Sequence, residues 1–232
     1  MLDESESRHL TQVLRAQPND EILVFDDSGS EWKALVSQVN SSMNVQVCLT
    51  EPVRRRLARQ YRLLIAQAIP QRGKMDFISE KAGELGVDVL IPMVTERTIV
   101  KMTSEQETKV IARWQKIARE AVKQSHSQNV TEISDFETLD SILKQSNNRL
   151  VVMLDPSANN TFEEFTDRLK ELILRKQFNE LLIVIGPEGG FSKRELEMAH
   201  QEKVNLISLG DNILKTDTAF VAIASAIKMR FS

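Results

Sequence analysis

The residues best suited to chemistry lie in LLIVIGPEGGFSKRELEMA, residues 181–199. Five apolar residues, Leu181 to Ile185, run straight into Gly186-Pro187-Glu188-Gly189-Gly190, and a helical pattern with Ser192 at its N-cap follows. Glycines permit positive φ and close backbone approach to a bound molecule. The loop is not a phosphate cradle. No glycine precedes Lys and a hydroxyl residue at the G-x-x-x-x-G-K-[ST] spacing, and Pro187-Glu188 breaks a G-x-G-x-x-G pattern. Glu188 would also repel a pyrophosphate, so the implied ligand is neutral or cationic and held largely by backbone groups. The competing reading is a tight strand-to-helix turn capped by Ser192.

Two further loops share this placement at the end of an apolar run. One is Leu154-Asp155-Pro156; the other extends from Ser208 to Ala219. The second is long for a strand-to-helix connection. It joins Ile213 and Leu214, a wall for a flat ring, to Lys215, Thr216, Asp217 and Thr218. Either threonine is equally a cap for the last helix. In open parallel sheets, ligands bind beyond the carboxyl ends of the strands.

The elements that must position these loops follow from periodicity. Arg62 to Ile69, Val89 to Val94, Leu150 to Leu154, Leu181 to Ile185 and Val204 to Leu209 read as strands. Helices are predicted over 74–85, 104–124, 161–176, 192–202 and 217–230, with Gly86 stopping the first. Pro92 places its strand at an edge or a bulge. This alternation makes an α/β domain with a mostly parallel sheet covered on both faces. Residues 8–50 differ. Ile22 to Phe25, a turn over 26–30, Trp32 to Val36 and Val45 to Leu49 read as a small β-rich module, with Cys48 as a packing residue. Pro52 and the arginines after it mark its border, giving domains 1–57 and 58–232.

Composition narrows the function classes. A chain of 232 residues with 41% hydrophobic and 27% charged residues is ordinary for a globular protein. No apolar run is long enough to span a membrane, and the polar start MLDESESRHL is no signal peptide, so the cytoplasm is the default compartment. One cysteine and three scattered histidines (His9, His126, His200) offer no metal-ligand spacing. The net charge of −3 hides a local asymmetry: residues 52–74 hold seven basic residues and no acidic one. Phosphate binding depends on contacts made rather than on net charge, so RNA contact and a merely solvated basic surface are both open.

Taken together, IGPEGGFS, SLG and ILKTDTA resemble the RsmE-type ribosomal RNA methyltransferases of the SPOUT superfamily, and RHLTQVLR (8–15), residues 74–100 and RWQKIAREAVKQS (113–125) agree in the same order. The resemblance implies S-adenosylmethionine-dependent methylation of uridine N3 in 16S rRNA. It implies a C-terminal trefoil knot, a PUA-like RNA-binding N-terminal domain, and a homodimer with the active site at its interface. Carried over residue by residue, the cofactor pocket falls on Leu154, Gly186, Glu188, Gly190, Leu209, Gly210, Ile213 and Leu214. Arg8, His9, Arg15, Arg54, Arg55 and Arg72 become the RNA-binding residues. No metal is implied.

The pattern departs from the family at three places. Lys215 and Asp217 stand where Arg and Glu are usual, His126-Ser127 replaces Gly-Arg, and the family usually carries about one more strand before RHL. Lys215 and Asp217 are the catalytic candidates. Uracil N3 must lose a proton before it can attack a methyl group, and the resulting charge spreads over O2 and O4. Asp217 as the base would need a raised pKa, from burial or a like charge; as a helix N-terminal charge it would need none. The alternatives are another SPOUT specificity, on tRNA or a ribose 2′-hydroxyl, and a non-catalytic RNA-binding paralogue.

Overall fold

The structure is a computed structural model describing residues 2, 4–25, 30–39, 44–54, 60–71, 73–99, 102–127, 129–145 and 148–231. It divides into two units, Met1–Leu57 and Ala58–Ser232.

The first unit opens with α1 (Glu4–Arg8) and a short π-helical turn (His9–Val13), followed by β1 (Glu21–Phe25), β2 (Glu31–Val39) and β3 (Val45–Arg54). The strands form an antiparallel sheet in the order β1-β2-β3. Leu10, Ala16, Val36 and Val45 make its small core, which explains the helical start: Leu10 has to be turned onto the sheet. Strand alternation sends Val45 and Val47 inward, so Cys48, paired with exposed Leu35, is exposed rather than packed. Pro52 does not end the strand. It pairs with Trp32 beside register shifts on the edge strand β3, where a missing N–H is tolerated. The expected turn falls mostly outside the described residues.

The second unit is a parallel sheet with helices on both faces, as the strand-helix alternation predicts. In chain order it contains β4 (Arg62–Ala68), α2 (Met75–Leu85), β5 (Val89–Val94), α3 (Ser104–Ser125), β6 (Glu132–Ile133), β7 (Glu137–Thr138) and α4 (Leu139–Lys144). β8 (Arg149–Leu154), α5 (Phe162–Leu174), β9 (Glu180–Ile185), α6 (Lys193–Gln201), β10 (Asn205–Ile207) and α7 (Thr216–Phe231) complete it. The strand order is β10-β8-β9-β4-β5-β6, with β7 also on β5. Leu63, Ile65, Leu181, Ile183 and Ile185 pack on one face with α2, α3, α5 and α7; Leu64, Ala66, Leu182 and Val184 pack on the other with α4 and α6. Each of these strands is therefore apolar on both faces, which is why they read as unbroken hydrophobic runs.

Pro92 is neither at an edge nor in a bulge. The Met93 carbonyl accepts from Ile69 N–H, so Met93 faces β4 and Pro92 faces the opposite neighbour. That neighbour is split into β6 against Val89–Leu90 and β7 against Met93–Val94, and Pro92 occupies the break. These two-residue strands and α4 are too short to show periodicity.

Candidate active site

A cavity of about 390 Å³ opens at the carboxyl ends of β8, β9 and β10. Leu154, Gly186, Glu188, Gly190, Leu209, Gly210, Ile213 and Leu214 all line it, with Lys215, Thr216 and Asp155. The sheet order explains this convergence. β8 lies between β9 and β10, so three loops far apart in sequence emerge side by side.

Local chemistry fixes each loop. After β8, the buried Asp155 carboxylate accepts from Ser157 N–H and Oγ, and its own N–H donates to the Ile207 carbonyl of β10. After β9, Gly190 N–H closes a turn on the Pro187 carbonyl, and Gly190 takes φ 66°, which disfavours any side chain. Gly186 has a different reason. A Cβ there would lie 3.0–3.3 Å from the Phe191 ring, so this cavity-lining glycine also makes room for a neighbouring side chain. Ser192 caps α6 reciprocally with Glu195, as its position predicts. After β10, Gly210 takes φ 110° and Ile213 is 81% exposed, an apolar side chain held at the rim.

The last loop is anchored from the middle of the sheet. Buried Gln67 of β4 donates to Thr216 Oγ1 at 2.8 Å, and Thr216 Oγ1 donates to the Gly186 carbonyl at 2.8 Å. This chain joins β4, β9 and the start of α7. It gives Thr216 a function beyond capping.

The two catalytic candidates part here. Lys215 is exposed, lines the cavity and has no ion pair among the described residues. Asp217 is not a lining residue. Its carboxylate accepts from Lys74 Nζ at 2.8 Å, and this hydrogen bond, against a smaller effect of burial, holds its pKa below the usual carboxylate value. The raised pKa that a base needs is therefore absent: a cation, not an anion, is the near neighbour. Glu188 is also drawn aside. It accepts from Gln71 N–H at 3.2 Å and lies 3.9 Å from Lys74 Nζ. On the other flank the Arg97 guanidinium donates to the Gly189 carbonyl.

Lys74, Gln67 and Arg97 escaped the sequence reading. Lys74 stood out only as one charge in a basic run, and its partner Asp217 is 143 residues away. Of the RNA-binding candidates, Arg8 is exposed and paired with Glu4 at 2.7 Å, while His9 and Arg15 are exposed. Arg55 and Arg72 and the side chain of Arg54 lie outside the described residues. Of the other cations in the basic run, Arg62 pairs with Glu180 and Glu132. His126 ends α3 in the left-handed region at φ 51°, a place where glycine would be unstrained. Among the described residues no cluster of three or more His, Cys, Asp or Glu is placed to hold a metal.

Comparison with known proteins agrees with this geometry. The family model described as "RNA methyltransferase domain" matches residues 58–228, and that described as "RNA methyltransferase PUA domain" matches residues 2–42. The chain is 29% identical to the ribosomal RNA small subunit methyltransferase E of Bacillus subtilis, over 96% of this chain and 86% of that one. It is 26% identical to the enzyme of that name from Buchnera aphidicola subsp. Schizaphis graminum, over 99% and 90%. The crystal structure of a ribosomal RNA small subunit methyltransferase E from Neisseria gonorrhoeae, bound to S-adenosyl methionine, superposes with a TM-score of 0.83 at 25% identity, covering 98% of this chain and 90% of that one. The chain thus belongs to the RNA methyltransferase family, in agreement with the resemblance of its strand-end loops to RsmE-type enzymes.

Proposed function

We propose that the protein methylates N3 of a uridine in 16S ribosomal RNA, using S-adenosylmethionine bound in the strand-end cavity. The observation that carries this reading is the convergence of the three loops into one cavity with an apolar rim, exposed backbone and no phosphate cradle. These features fit the cofactor. Ile213 and Leu214 suit a flat purine, the backbone near Leu209 suits its polar edge, and Glu188 and Asp155 suit a cation. When bound, S-adenosylmethionine supplies an electrophilic methyl group. Lys215, which lines the cavity and has no ion pair among the described residues, donates to the uracil oxygen on which negative charge develops as N3 loses its proton. Asp217, held as an ion by Lys74, orders the first turn of α7, and the N3 proton passes to solvent water as the methyl group moves to N3 and S-adenosylhomocysteine leaves.

The finer parts of this reading rest on separate observations. The chain passes from β10 at one sheet edge back to the centre through residues 208–215, where Thr216 is tied to β4 and β9; this return path supports a trefoil knot. One face of α7 presents Thr218, Ala222, Ser225 and exposed Met229, small residues and one large apolar one, which supports a homodimer with the site at its interface. Residues 1–57, with Arg8, His9, Arg15, Arg54 and Arg55, act as the RNA-binding part, and residues 58–232 carry out methyl transfer in the cytoplasm.

The test is incubation of the protein with labelled S-adenosylmethionine and small ribosomal subunits lacking the modification, followed by nuclease digestion and nucleoside identification. Label in 3-methyluridine of 16S rRNA is expected. Label in a ribose 2′-hydroxyl or in added tRNA, or no label despite cofactor binding, would overturn the reading.

A further inference from the structure

We infer that Lys74 is a positioning residue of the methyl-transfer site, tying the glycine loop after β9 to the first turn of α7 and keeping Lys215 free for substrate. The inference rests on the function proposed above. Its ground is a charge arrangement that the proposed chemistry does not itself require. Lys74 follows β4, whose neighbour in the sheet is β9, so the residues after β4 lie beside Gly186–Gly190. Lys74 Nζ is 2.8 Å from Asp217 Oδ1 and 3.9 Å from Glu188 Oε1. The same segment offers Gln71 N–H to both Glu188 oxygens, at 3.2 and 3.4 Å. One short segment therefore grips two of the loops that define the cavity.

The side chains of Lys74, Asp217 and Glu188 are 28%, 25% and 33% exposed, so their interactions are less screened than those of a surface pair. Without the ammonium, two carboxylates from different loops would face the same space and repel. The repulsion would push the glycine loop away from α7, while Arg97 still held its far side through the Gly189 carbonyl. Lys215 would also gain a free partner. It stands two residues from Asp217 and already acts electrostatically on that carboxylate. With Lys74 gone, Lys215 is the cation left to neutralise Asp217, and it would be drawn from the cavity it lines. The arrangement thus separates two adjacent tasks: Lys74 engages Asp217 and Glu188, and Lys215 has no ion pair among the described residues.

The test uses the full-length protein with S-adenosylmethionine titration by calorimetry, single-turnover methylation of unmodified small subunits, and thermal melts. Lys74→Met should melt near the wild type yet turn over about 100-fold more slowly, the scale on which a small misplacement slows an oriented reaction. Lys74→Arg should restore most of that loss. Adding Asp217→Asn to Lys74→Met should recover part of it, because the competing partner of Lys215 is then neutral. A merely structural lysine would instead show no such recovery when Asp217→Asn is added. If Lys74→Met melts early, Lys74→Gln, which keeps a donor without the charge, replaces it under the same criteria. Wild-type turnover in the uncharged variant, with an active wild type beside it, overturns the inference and leaves the proposed function standing. A wild type that neither binds the cofactor nor methylates overturns the function itself.

Discussion

The two ends of the parallel sheet are built from similar residues and do opposite things. At the amino ends of the strands several polar groups are paired within the fold. Buried Asp88 accepts from Leu63 N–H at 2.8 Å and from Asn129 Nδ2 at 3.0 Å. Thr131 donates to carbonyls of Ala82 and Val87, and Glu180 pairs with Arg149 and Arg62. At the carboxyl ends, Lys215 has no ion pair among the described residues, and an apolar isoleucine stands at the rim of a cavity. The difference teaches where to look for function. Groups that the fold satisfies stabilise it; groups that it leaves unsatisfied, on rigid strand ends, are available to a ligand.

That contrast can be broken most sharply at Lys215. Lys215→Ala should leave cofactor affinity and the melting temperature near wild type and lower single-turnover methylation about 100- to 1000-fold, the usual cost of removing a donor to a developing anion. A variant that melts early, or one with normal turnover, would place Lys215 with the structural groups instead.

At the other end, Asp88→Ala should do the reverse. It leaves the buried Leu63 N–H without this acceptor and removes one of the two acceptors of Asn129 Nδ2, which keeps the Gly86 carbonyl, at a cost of about 1–3 kcal/mol. Denaturant unfolding measures the loss, and turnover per folded molecule should be unchanged. A fall in turnover without loss of stability would erase the distinction between the ends.

Gly186→Ala probes the boundary between them. The added methyl meets the Phe191 ring and must displace it by a few tenths of an ångström. Overpacking of this kind costs about 1–3 kcal/mol. The expected signature is a lower melting temperature together with weaker S-adenosylmethionine binding by titration, since Phe191 and Gly186 both line the cavity. Stability loss with unaltered affinity would make Gly186 a packing residue alone.

The smallest effect is expected from Asp217→Asn, and its pH dependence carries the information. The folded-state pKa of Asp217 is depressed from its ordinary value of 3.8, chiefly by the hydrogen bond from Lys74. A depressed carboxyl pKa contributes stability that is present above the ordinary value and lost as the pH falls through the lowered one. The stability gap between wild type and Asp217→Asn should therefore be constant at neutral pH and close only on the acid side of 3.8. The two rate profiles should run parallel across neutral pH. A rising limb present in the wild type and absent from the Asn variant would restore Asp217 as the base.

Much of the second unit is legible in the sequence. Leu181–Ile185 and Leu63–Ile65 are apolar on both faces, and only a buried parallel strand asks for that. The three strand-end loops could be named because glycines, a proline and charges interrupt apolar runs at those points. Short elements were not legible: β6, β7 and α4 have too few residues for a period, and the helical start of the first unit carries one buried leucine.

Sequence alone determined which loops stand at strand ends, because strand ends and family pattern are both local features of the chain; the sheet order brought those loops together. Sequence did not determine what each residue does there. Asp217 could be read as a base or as a helix N-terminal charge until the sheet order brought Lys74 against it, and nothing in the local pattern showed that Gly186, at the cavity, also makes room for the Phe191 ring. Both outcomes depend on distances between groups that no local pattern encodes. Coulomb energy and steric overlap act through space, and only the tertiary structure sets that space.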